Sequence, residues 1–248
     1  MNDTYVLEWT FTPADYFEEP TDFSCEFCSI HVENGKAVAR VPSDKYPDDH
    51  SVRNQLHGEL DSRFMGAQVL SHKPYTLSKS NVSRLHLDGR KDVWAFVEGA
   101  RIAITGGTVD FVLRGADGGV IRDTKQERVE RRFEFSQLAA RYINDPVANA
   151  ILRSYAAAVK DPQNELIHLY EIRDALSKHF GGEATALAKG GLSQGQWSRF
   201  GRLANSEPLI QGRHRGKQPG ALRNATTEEL TEARDIAREM IRNYLRQL

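Results

Sequence analysis

Arg213, His214, Arg215 and Lys217 crowd together between Gly212 and Gly220, with Gly216 among them. Glycines let the backbone turn where bulkier residues resist, and the four side chains bring cationic and proton-carrying groups into one place. A guanidinium forks onto phosphate oxygens and an imidazole moves protons near neutral pH, so the segment suits a phosphate-bearing partner such as RNA or a nucleotide. Arg202 and Arg223 flank it, and with Arg215 and Lys217 they complete the candidate phosphate or nucleic-acid contacts. Over residues 199–223 six arginines and lysines face one carboxylate, Glu207. The competing expectation is an exposed loop whose charges pair with Glu228, Glu229 and Glu232 at the start of the last helix.

Cys25 and Cys28, the only cysteines, have C-x-x-C spacing with His31 nearby. A zinc site needs a second pair of ligands, and His50 and His57 are unconvincing ones. If Phe23 to Val32 is one strand, the odd separation puts the two thiols on opposite faces, which predicts buried structural cysteines and no metal. Lys125, Arg128, Arg131 and Arg132 are interrupted by Glu127 and Glu130, the pattern of a mixed-charge surface. Residues 89–92 and 101–107 are turn and strand grammar without the ending of a P-loop, and no Gly-x-Ser-x-Gly occurs. No cofactor is expected.

These groups must be positioned by a chain of 248 residues, 40% hydrophobic and 27% charged, with a net charge of -1 and a pI of about 6.7. Such a chain has no global positive field, so any nucleic-acid contact must be local. The N-terminus lacks a basic start and an apolar run, and nowhere is there a long uncharged apolar stretch; a cytoplasmic protein with no membrane partner is expected.

The grammar of the chain changes near residue 131. Before it the apolar period is two: Tyr5, Leu7, Trp9 and Phe11 alternate with polar neighbours, and Val93, Ala95 and Val97 repeat the pattern. Residues 101–104 and 109–113 are further strands, with a turn over 115–119. His50 to Leu60 suits a short helix. After Arg131 the period becomes 3.6, with Leu138, Ala139, Tyr142, Ile143, Val147, Ala150 and Ile151 on one stripe. Asp145-Pro146 and Asp161-Pro162 read as helix starts, and Gly181-Gly182 as a stop. Ser193 with Gln196 and Thr226 with Glu229 read as capping boxes. The fold class is therefore α+β: residues 1–130 an antiparallel β-rich sandwich or barrel of unknown ligand, and residues 131–248 an all-α bundle.

The helix carrying Glu165, Leu166, His168, Tyr170 and Glu171, then Leu203 to Pro208 leading into Gly212 to Gly216, then a capped helix beginning Glu228-Glu229-Leu230, resembles the HEPN-like domains of prokaryotic proteins. The likeness covers about the last 110 residues. It implies a helical bundle paired about a two-fold axis, often a metal-independent RNase of defence or toxin systems, and otherwise a nucleotide-binding or docking module. The resemblance makes Arg213 and His214 the catalytic candidates, as phosphate clamp and proton carrier. Active members space their arginine and histidine by four to six residues, whereas Arg213 and His214 are adjacent. Arg173 and His179 match that spacing formally, but a six-residue helical step points their side chains about 120° apart. The alternative is a catalytically inactive module that dimerises through its bundle and recognises a ligand through its β-rich part.

Overall fold

The computed structural model describes residues 3–47, 51–94, 110–114, 119–213 and 221–248. The chain forms two compact units, Met1–Phe64 with Tyr75–Gln137 and Met65–Pro74 with Leu138–Leu248. An antiparallel β-rich part is followed by a helical one, the α+β layout that the change of period implies.

In the first unit β1 (Thr4–Thr12), β2 (Thr21–Ser24), β3 (Ser29–Glu33) and β4 (Lys36–Pro42) precede α1 (Ser51–Ser71). After it come β5 (Thr76–Leu77), β6 (Asn81–Leu85) and β7 (Lys91–Trp94). The sheet runs β2-β3-β4-β1-β6-β7, antiparallel at each pairing, with β5 on the end of β1. Leu7, Trp9 and Phe11 of β1 are buried while Glu8 and Thr10 are exposed, so the period-two reading holds there. α1 lies on that buried face. Trp9 Nε1 donates to His57 Nδ1 at 3.2 Å, and the Phe11 and Phe64 rings meet edge to face at 5.0 Å.

α1 is far longer than the short helix expected to end near Leu60. Its first half has a readable ridge of Val52, Leu56 and Leu60, but residues 62–69 are all buried, Ser62, Arg63 and Gln68 included. A helix enclosed on every side shows no polar face, so its period vanishes. The buried donors are used individually: Ser62 donates to Glu59 O, Arg63 to Ser24 O and Gln68 Nε2 to Lys73 O.

Val93 and Trp94 of β7 are exposed rather than half-buried. β8 (Val112–Arg114) and β9 (Val120–Asp123) make a separate antiparallel pair. The expected strand at 101–104, most of the turn at 115–119, and Ala95, Val97 and His50 lie outside the described residues. α2 (Thr124–Arg141) starts before residue 131, because its first turns are too charged to display a stripe. Those charges are partnered: Lys125 with Glu19, Arg128 with Glu18 and Asp110, and Arg132 with Glu18.

The second unit packs α3 (Pro146–Lys160), α4 (Glu165–His179), α5 (Glu183–Gly190), α6 (Gln194–Asn205) and α7 (Thr227–Gln247). Both capping boxes form as read, and Gly181 and Gly182 adopt positive φ after α4. Asp161 does not cap α4. It closes α3, its carboxylate accepts from Asn164 Nδ2, and a single 3-10 turn over Pro162–Asn164 intervenes. Asp145 caps α3, accepting from Val147 N and Ala148 N at 3.0 and 2.7 Å and from Tyr244 Oη of α7 at 3.0 Å.

Asp145→Ala strands two amides and one phenol at once. We expect it to lower stability by about 1–2 kcal/mol, with Asp145→Asn recovering much of the loss, in urea denaturation monitored by circular dichroism. An unchanged midpoint for the alanine variant would refute the assignment.

Candidate functional site

The basic segment begins where α6 ends. Ser206 and Glu207 amides donate to Arg202 O, Gly212 N to Leu209 O at 3.0 Å, and Arg213 N back to Ala204 O at 2.7 Å. A Cβ on Gly212 would meet Leu209 O at 3.2 Å and Ala204 O at 3.3 Å, so the tight turn favours glycine. Leu209 and Arg223 form a parallel bridge, Ile210 N donating to Arg223 O and Arg223 N to Pro208 O. This turn projects Arg213 outward. Its guanidinium lies 5.5 Å from the Tyr170 ring centroid and 2.8 Å from Asp174 Oδ2, both on α4.

Among the proposed contacts, Arg202 is exposed on α6, Arg213 faces α4, and Arg223 faces α7. The structure therefore gives Arg213 and Arg223 different carboxylate partners. His214, Arg215 and Lys217 lie outside the described residues.

Much of the local positive charge is already matched. Arg199 reaches Glu207 at 2.7 Å and Glu232 at 3.0 Å, while Arg223 holds Glu229 at 2.7 Å and approaches Glu207 at 3.4 Å. Arg223 is the main reason that the Glu229 carboxyl falls to about 2. A groove of about 630 Å³ between α6 and α7 is lined by Glu228, Glu232, Asp235 and Glu239. Such a wall repels a polyanion.

Arg173 and His179 do not act together. The Arg173 guanidinium is buried 4.3 Å from the Trp197 ring centroid and 5.2 Å from that of Tyr170, and it pairs with Glu183 at 2.9 Å. It occupies the space that Gly201 leaves, since a Cβ there would stand 2.4 Å from Arg173 Nη1. His179 instead packs edge-on against Phe180 and Tyr244.

A second constellation in this unit has no counterpart in the sequence reading. Glu165 is buried at the start of α4, where Arg234 of α7 grips it with two hydrogen bonds of 2.6 and 2.8 Å. His72 Nε2 is 3.5 Å from the same carboxylate, and its Nδ1 is 3.2 Å from Tyr155 Oη of α3. Arg238 Nε donates to Tyr155 Oη at 3.1 Å and to Val69 O at 2.7 Å. The Tyr155 hydroxyl thus links Arg238 to His72, whose Nε2 faces the Glu165 carboxylate. Glu165 beside the apolar positions Leu166, Leu169 and Ile172, together with two arginines one turn apart on α7, was the available signal.

Burial, reinforced by Arg234 and Arg238, drives the His72 imidazole down to about 3, and burial raises the Tyr155 phenol to about 12. The network is thus a fixed array of neutral donors and acceptors between charged ends, and it ties residues 65–74 to α3, α4 and α7. Among the described residues no group of three or more His, Cys, Asp or Glu is placed to hold a metal, and no helix is long and apolar enough to cross a membrane. Comparison with protein-family models, curated proteins and solved structures gives no significant match.

The lowered His72 value sets a pH dependence. Unfolded His72 takes up a proton below about pH 6.5, whereas the folded group resists until about 3, so stability falls across that window as pH falls. The slope for one proton is about 1.4 kcal/mol per pH unit. His72 has φ 51°, a conformation that asparagine tolerates. Denaturant melts between about pH 7 and about pH 5 should therefore show a shallower loss for His72→Asn than for the wild-type chain. Equal slopes would mean that His72 titrates normally in the fold.

Proposed function

We propose that the helical unit binds the phosphates of RNA or of a nucleotide at the turn after α6, with Arg213 and His214 at the centre and Arg202, Arg215 and Lys217 around them. The observation that carries this is the setting of Arg213. A closed turn holds it over Tyr170, and among the described residues it pairs with Asp174, a carboxylate about as exposed as Arg213 itself. Surface pairs of this kind are worth about 0–1 kcal/mol, so a doubly bonded phosphate displaces the carboxylate at little cost. Arg223 carries less weight, because Glu229 and Glu207 occupy it.

If the bound phosphate belongs to RNA, the resemblance to HEPN-like domains supplies the reaction. His214 takes the ribose 2′-hydroxyl proton as that oxygen attacks the adjacent phosphorus, Arg213 stabilises the charge that builds on the phosphoryl oxygens, and the P–O5′ bond breaks to leave a 2′,3′-cyclic phosphate and a 5′-oxygen that takes a proton from water. The chemistry needs no metal.

The alternative is a catalytically silent interaction module. It is favoured by the pairing of Arg199 and Arg223 with glutamates, and by the exposed Val93, Trp94, Phe111 and Ile121 of the β-rich unit, which suit recognition of another protein.

Binding of labelled single-stranded RNA across a salt series separates the two. Arg213→Ala should weaken binding by roughly tenfold or more and reduce the salt slope by about one, with the melting temperature nearly unchanged. The same RNA incubated in EDTA should be cut by the wild-type chain and spared by Arg213→Ala/His214→Ala. Absence of binding at low salt would discard the phosphate site, and binding without cleavage would confine the proposal to recognition.

A further inference from the structure

Neither reading above uses the two cysteines. Ser24 at the end of β2 pairs with Ser29 at the start of β3, and the Cys25 amide donates to Cys28 O at 2.9 Å. Cys25 and Cys28 are therefore the last facing pair of a hairpin, joined by Glu26 and Phe27. This corrects the expectation that they lie on opposite faces. Parity along a strand applies only while the chain runs straight, and here it reverses between them; facing residues across a hairpin project to the same side.

The geometry of such a pair suits a covalent link. Facing residues of a hydrogen-bonded antiparallel pair have Cα atoms about 5.5 Å apart, within the range of about 4.4–6.8 Å that disulfides take. Both cysteines are free and half-buried, and the Cys25 thiol donates to Phe23 O at 3.8 Å. Arg63, almost fully buried, stands beside them: its Nη2 donates to Ser24 O at 2.7 Å and its guanidinium lies 5.1 Å from the Phe23 ring centroid. Arg63 favours the thiolate form of either sulfur, and the Glu59 carboxylate, 3.5 Å from Arg63, opposes it. Each thiol shifts the other, so that ionising one opposes ionising its neighbour. Zinc would require further ligands, and no described group supplies them.

We propose that Cys25 and Cys28 form a reversible dithiol-disulfide couple that exchanges with an organic disulfide. One of the two sulfurs, having released its proton to water, reacts as the thiolate. It attacks one sulfur of the incoming disulfide, forming a mixed disulfide and expelling one thiolate. The neighbouring thiol then loses its proton to water as its sulfur attacks the first cysteine's sulfur and expels the second thiolate. The chain loses two electrons and two protons, and the incoming disulfide becomes two thiols.

The test equilibrates the whole chain with graded ratios of oxidised and reduced glutathione, quenches with iodoacetamide, and reads the intact mass. The wild-type chain should pass in one step from two alkylated thiols to none, losing two hydrogens and retaining no glutathione, and dithiothreitol should reverse the change. Cys25→Ser and Cys28→Ser should each retain one glutathione instead. Phenylarsine oxide, which bridges neighbouring sulfurs, gives a check that needs no variant: one arsenical should shield both thiols from alkylation. Glutathione retained on the wild-type chain, thiols that stay alkylatable under the most oxidising buffer, or independent alkylation in the presence of the arsenical would each overturn the proposal.

Discussion

The buried carboxylate of Glu165 constrains the helical unit more tightly than any other group. Taking a carboxylate out of water costs several kcal/mol, and only a partner held in good geometry offsets that cost. Arg234 supplies the partner with two short hydrogen bonds, which fixes the rotation of α7 against α4. His72 and Tyr155 extend the constraint to residues 65–74 and to α3. Apolar contacts between these helices tolerate a small slide, but a bidentate ion pair does not. The pair thus contributes a single register more than it contributes net stability, since buried pairs often do no better than well-packed apolar residues. The surface that carries Arg213 inherits that register, because Tyr170 and Asp174 lie on the same α4 that Glu165 begins.

Local chemistry was legible in the sequence. Asp145, Ser193 and Thr226 could be read as caps because a cap involves residues two or three positions apart, and β1 could be read because one of its faces is wet. Asp161 misled because an aspartate before a proline serves equally to end one helix or to begin another. The second half of α1 was illegible for a different reason: burial on all sides erases the contrast on which periodicity depends. Of the site itself, the glycine-bracketed turn and its arginines were visible. Their counter-ions were partly so, because Glu229 and Glu232 follow closely on the segment, whereas Asp174 is contributed by a helix 39 residues earlier in the chain. The partners of the buried network run from His72 to Arg238, and no short window contains enough of them to reveal it.

Charge in the helical unit is sorted by side. Glutamates at the start of α7 neutralise Arg199 and Arg223 and then continue along the α6–α7 groove as an acidic wall. Arg202 is exposed on α6, and Arg213 pairs with the exposed Asp174. A near-neutral chain can thereby present a directional surface, because the sign of a patch is decided by which arginines keep a carboxylate close and not by the sum over the sequence.

The contact between Gly201 and Arg173 has a consequence for descent. The guanidinium fills the volume that a side chain at position 201 would take, with the Trp197 and Tyr170 rings beside it. A methyl group at 201 therefore makes the far end of Arg173 move off those rings, so the two positions should tend to vary together wherever this bundle is found.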